Sequence, residues 1–149
     1  MATDAKTGQA IFGRYNVGLH NVGSYQVSGI PWITGSVLVT GEEHKISFPK
    51  VTKNITVMAS GAYTNGEVRI AFDSNSNPNV EGSHRYLTLD THEDSWSLPV
   101  KCKEVYIYCK FASTTDVGYE LVAELTNIPT GSMYVHSGSG INNAAGLDI

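Results

Sequence analysis

Gly118-Tyr119-Glu120-Leu121-Val122-Ala123-Glu124-Leu125-Thr126 (residues 118–126) alternates polar and apolar side chains. That period of two marks a β-strand with one buried face, and no helical period competes with it. Just upstream, Glu104-Val105-Tyr106-Ile107-Tyr108-Cys109-Lys110-Phe111 repeats the pattern. Val105, Ile107 and Cys109 fall on one face and Tyr106 and Tyr108 on the other. The first set reads as core. The tyrosine face is open to two readings, a ligand platform or an inter-subunit contact, and the contact is preferred.

Working outward, Lys45–Val51, Asn54–Ser60 and His84–Asp90 read as further strands, and Ser36–Thr40 as a short apolar one. Trp96–Val100 contains Pro99, which points to an edge or a bulge. Asn65-Gly66 has the form of a two-residue type I′ turn and predicts a hairpin between Ile55–Tyr63 and Glu67–Asp73. About eight strands, with turn signals every ~8–12 residues, predict an all-β fold. The expected architecture is an antiparallel β-sandwich, jelly-roll or immunoglobulin-like, spanning residues 36–127.

The flanks differ from this centre in charge. Of 10 basic and 14 acidic side chains, all but Asp4, Lys6, Arg14 and Asp148 lie between Glu42 and Glu124. Residues 1–35 and 128–149 therefore read as extended N- and C-terminal arms. Solvated tails are normally charged, and these segments are too polar and glycine-rich to span a bilayer. The charge-free runs of mixed polarity, Tyr15–Gly41 and Leu125–Leu147, predict contact with protein. Ile11, Phe12, Tyr15, Tyr25, Ile30 and Trp32 are the expected N-terminal anchors. Met133, Tyr134, Val135 and Ile141 are expected at the other end.

The formal net charge of −4 and the scattered basic residues argue against nucleic acid as a partner. The N-terminal residues lack the apolar stretch of a signal peptide. Cys102 and Cys109 lie seven residues apart in what reads as one strand, roughly 23 Å at ~3.3 Å per residue. They cannot bridge there, and two buried free thiols suit a chain made in a reducing cytosol.

Catalytic and metal motifs fare poorly. No two glycines are four apart, so the Gly-x-Ser-x-Gly nucleophile elbow is absent. His20, His44, His84, His92 and His136 lack zinc spacing. Asp73-Ser74-Asn75-Ser76-Asn77 opens like a calcium loop, but Pro78 stands where glycine is required and His84 where glutamate is expected. It reads as a polar connection rich in Asx turns, and Asp90–Asp94 as a solvated acidic turn. No cofactor, metal or catalytic group is expected.

The stretch Gly23-Ser24-Tyr25-Gln26-Val27-Ser28-Gly29-Ile30-Pro31-Trp32-Ile33-Thr34-Gly35-Ser36 resembles the N-terminal arm of small virion proteins of tailed phages. The pair Phe48–Lys53 and Glu120–Pro129 is also similar to phage structural proteins. The family suggested is the capsid decoration, or cement, class. The resemblance implies a β-rich, non-enzymatic protein made in the host cytoplasm and carried on the virion surface. Its implied partners are the major capsid protein, whose adjacent subunits it clamps, and other copies of itself. The two long arms depart from the compact trimeric members. Two other readings stand beside it: a carbohydrate- or receptor-binding module of a tail, spike or head fibre, and a small-virus shell protein. The arms are too poor in basic residues to hold a genome for the last.

Overall fold

A computed structural model describes residues 17–61, 67–76, 78–109, 117–134, 136–137 and 140–141. The eight main strands are β1 (Ile30–Leu38), β2 (Glu43–Ser47), β3 (Thr52–Gly61), β4 (Val68–Ala71), β5 (Leu87–Leu89), β6 (Ser95–Leu98), β7 (Glu104–Cys109) and β8 (Val117–Leu125). They form two four-stranded antiparallel sheets, ordered β1-β8-β3-β6 and β2-β7-β4-β5. Successive strands alternate between the sheets for much of the chain. That is the jelly-roll order, which resolves the choice left open by pattern alone. A short ribbon, β9 (His136–Ser137) with β10 (Gly140–Ile141), lies beyond the sandwich.

The core forms where the inner faces meet. Leu121, Tyr119 and Ala123 of β8 and Ile55 and Val57 of β3 face Val105, Ile107 and Cys109 of β7 and Val68 and Ile70 of β4 in one buried cluster. Over residues 104–109 and 118–126 the core-facing positions are those the sequence predicts. Pro99 directly follows β6, which is an edge strand as expected.

The hairpin expectation is corrected. β3 pairs with β8 and β6, whereas β4 pairs with β7 and β5 in the opposite sheet. All four residues of β4 are buried. Such a strand needs a neighbour on each side and cover on both faces, which a two-stranded turn unit cannot supply. Asn65-Gly66 itself lies outside the described residues.

The first strand is also longer than Ser36–Thr40. It begins at Ile30, so residues 30–35 belong to the sandwich and not to an arm. Two glycines of this segment have a packing role. A Cβ on Gly35 would sit 2.8 Å from the Tyr119 carbonyl oxygen, and one on Gly29 would overlap the Glu124 side chain. Glycine lets this strand approach β8 closely.

Tyr108 is not part of an open platform. It is 1% exposed, beneath the single-turn helix α2 (Pro78–Glu81), packed with Val80, Ala71 and Tyr86. Its hydroxyl donates to Glu81 Oε1 at 2.6 Å, and burial followed by that carboxylate pushes its pKa up. Arg69 lies alongside. It reaches Glu81 Oε1 and Oε2 at 3.0 and 3.1 Å, pairs with Glu67, and stacks 4.1 Å over the Tyr86 ring. Burial opposes its charge, but the hydrogen bond to Glu81 and the carboxylate of Glu67 hold its pKa above the ordinary value.

Both thiols are free and buried, as expected for the two cysteines. Cys102 precedes β7, so the two do not share the strand. Burial pushes the Cys102 thiol up to about 11. A thiol reagent at about pH 8 should therefore label neither cysteine in the native chain and both after unfolding. Time-resolved labelling with and without denaturant checks this, and prompt native labelling would contradict it.

Candidate interaction surface

The described part of the N-terminal segment runs from Val17 through the single helical turn α1 (Gly23–Gln26) into β1. It is held on its own domain. Leu19 is buried with Val51, Ile128 and Met133, and Tyr25 and Tyr134 pack against that cluster. Lys101 Nζ donates to the Leu19 carbonyl at 2.8 Å and stands 4.6 Å over the Tyr25 ring. A register shift between Thr52 and Asn54 interrupts the β3–β8 ladder at Lys53. Lys53 Nζ donates to the Val27 carbonyl at 2.7 Å. A bulge of this kind re-aims one side chain of a strand, here toward the incoming segment. The two ends of the described chain also meet, through a 3.0 Å hydrogen bond between Tyr134 Oη and His20 Nε2.

These contacts redistribute the expected anchors. Met133 is 6% exposed and turned into its own domain, so it is corrected from an outward anchor to a core residue. Tyr25 and Tyr134 are half-buried on the same cluster. Trp32 faces inward, edge-on to Phe48 with ring centroids 5.4 Å apart. Of the expected anchors with described side chains, Ile30 is the one that faces solvent, at 51% exposure. Ile141 lies in β10. Ile11, Phe12, Tyr15 and Val135 lie outside the described residues.

The open surface falls in the uncharged N-terminal stretch, but apart from Ile30 its exposed residues are not the expected anchors. Among the described residues, ten large hydrophobic side chains are exposed, and seven of them fall between Val17 and Val39: Val17, Val22, Val27, Ile30, Ile33, Val37 and Val39. That span carries no charged side chain. It continues onto the outward face of the first sheet. There Ile33 stands beside Val122 and Thr56 in one row, and Gly35 beside Glu120 and Met58 in the next. A shallow trough of about 540 Å³ opens over Gly35, lined by Ile33, Thr56, Met58, Glu120 and Val122 among others. The signal that could have found it is the apolar residue at outward positions: Val122 between Glu120 and Glu124, and Ile33 next to inward Trp32.

Two polar groupings bring titratable and hydroxyl side chains together. Glu42, His44 and Tyr119 form a chain, with Glu42 Oε1 3.0 Å from His44 Nε2 and His44 Nδ1 3.1 Å from Tyr119 Oη. Tyr119 is 3% exposed, and burial followed by the Glu42 charge raises its pKa. Its hydroxyl keeps its proton and ties β8 to β2 across the sandwich. In the Asp73 loop, the Ser74 N–H donates to Asp73 Oδ1 at 2.8 Å. Glu43 accepts from Ser74 Oγ at 2.7 Å and from the Asn75 N–H at 2.6 Å. Glu43 thus ties the loop to β2, and within the loop the Ser76 N–H donates to Ser74 Oγ two residues back at 3.3 Å, a serine-type turn. Among the described residues, no three of His, Cys, Asp and Glu converge as metal ligands. No helix there is long and apolar enough to cross a membrane.

The two lysine ties give a direct test. Replacing Lys53 and Lys101 together by alanine should speed hydrogen exchange of amides 18–26 by about tenfold, since two such contacts contribute roughly 1–2 kcal/mol. The sandwich strands should keep their protection. Unchanged exchange in the segment would mean that Leu19 and Tyr25 alone hold it.

No protein-family model matches the chain, and no curated protein matches its sequence.

Proposed function

We propose that this chain is a non-enzymatic virion structural protein of the cement or decoration type, which binds the phage capsid and stabilises it across adjacent major capsid subunits. The observation that carries the reading is the uncharged stretch from Val17 to Val39, which exposes seven large hydrophobic side chains. Exposed apolar side chains gathered in one uncharged stretch are costly to leave wet and suit cover by a partner. The fold is compatible, since jelly rolls serve viral coat domains and lectin domains alike. The fold does not choose between them, and function must be argued from the surface.

The sugar-binding alternative asks for exposed aromatic rings. Tyr108 and Tyr119 are buried, and Trp32 packs on Phe48. Trp96 is 40% exposed but donates its indole N–H to the Thr88 carbonyl. Trp96 and the half-buried Tyr106 are the candidate rings that remain for this alternative. The mechanism the capsid reading implies is mechanical: many modest apolar contacts across subunit junctions raise the barrier to rupture under internal pressure.

The test is immunogold labelling of particles released from cells that make this chain. Antibodies to the purified protein should decorate the outside of intact heads. A chain carrying both Val22→Glu and Val27→Glu, two exposed positions, should stay folded and be lost from the particles. Labelling confined to free protein, or retention of this variant on heads, would overturn the reading.

A further inference from the structure

The four outer strands of the sandwich are protected very unequally. β5 has 3 residues and β6 has 4. β2 has 5 and carries Glu43 and Lys45. Short length and charge are the usual defences of a sheet edge. β1 has 9 residues, no charge, and sits at the end of its sheet among the described residues. Its Pro31 is a weak guard, placed next to the strand's start.

We propose that β1 pairs with β1 of a second copy, antiparallel about a dyad at Thr34, joining two four-stranded sheets into one of eight strands. Three observations select this occupant and register. The strand is neutral, so two copies of an acidic chain meet there without opposing charges. Stacking the outward faces instead would bring Glu120 and Glu124 of both copies together. In the edge pairing they lie three strand spacings apart, roughly 14 Å, beyond the Debye length of ~8–10 Å.

The register follows from shape. Residues opposite one another must face the same side if both cores are to stay buried. A dyad at Ile33 would oppose two isoleucines, and one at Gly35 would oppose two glycines. With the dyad at Thr34, Ile33 of each copy lies opposite Gly35 of the other. The most exposed isoleucine, at 75%, then covers the trough over the glycine. The same centre pairs all nine residues from Ile30 to Leu38.

The inference stands apart from the capsid reading, because it concerns the purified chain without particles. Sedimentation velocity of the full chain over a range of concentrations should show a reversible monomer–dimer equilibrium. Ile33→Lys should weaken it by about tenfold or more, a lysine being a common edge blocker. Val22→Lys, an equally exposed change off the strand, should not. Thr34→Cys should form an intermolecular disulfide on mild oxidation, since dyad-related residues lie about 4.5–5.5 Å apart. Val37→Cys, paired with Pro31 of the other copy, should not. A chain that is monomeric throughout, a dimer indifferent to Ile33→Lys, or cross-linking at position 37 in place of 34 would each overturn the proposal.

Discussion

Arg69→Ala should lower stability by about 3–5 kcal/mol, among the largest losses available from one polar side chain in this protein. Arg69 is 6% exposed and sits between Glu67 and Glu81, with its guanidinium against Tyr86. Removing it strands two partly buried carboxylates in the space between β4 and α2. Tyr108 still donates to Glu81, but it brings no positive charge. For a domain of this size the melting temperature should fall by roughly 10–15 °C. Equilibrium urea unfolding and calorimetry check it. Glu81→Gln with Arg69→Met, which removes charges of both signs, should cost less than Arg69→Ala alone. A loss under about 1 kcal/mol for Arg69→Ala would mean that water reaches Glu67 and Glu81 freely.

Ile107→Ala should cost about 2–5 kcal/mol, the range for a cavity in a well-packed core. Ile107 is fully buried on β7, opposite His44 on one side and Ile70 on the other. Its neighbours belong to ladders that cannot collapse into the space without breaking register. Tyr106 is one residue away and points to the opposite face. It hydrogen-bonds Glu104 at 3.2 Å and lies 5.6 Å from Lys45 Nζ. Tyr106→Ala should cost no more than ~1.5 kcal/mol, since a half-buried ring on a sheet surface gives up less area. The contrast between adjacent positions, read from denaturant midpoints, tests which face of β7 carries the core. Equal losses would contradict it.

The strands around residues 104–111 and 118–126 were legible because a half-buried ladder writes its period directly into the sequence. Which strand lies beside which was not. Alternation specifies a face and says nothing of neighbours, so β3 and β4 read as a hairpin although each belongs to a different sheet. The start of β1 was hidden for another reason. Gly29, Pro31 and Gly35 look like breakers, whereas their role is close approach to β8 at a sheet edge. The cover over Tyr108 is not legible in the sequence, because the four residues of α2 are too few to show a helical period. At the candidate surface, the lack of charge was legible and the direction of the side chains was not. Met133, Tyr25 and Trp32 turn inward, while Ile33, Val122 and Met58, which sequence reading did not select, turn outward.

The pairing of β1 with β8 sets Ile30 opposite Leu125, so the first sheet joins segments from near both extremities of the domain. β8 must leave the ribosome before the central ladder of that sheet can close. Contacts of such long sequence separation slow folding and lengthen the interval in which apolar ladders stand open. Closure of this sheet therefore waits until its last-made strand is available. Crowded synthesis would be the condition under which chaperones matter most to the protein's yield.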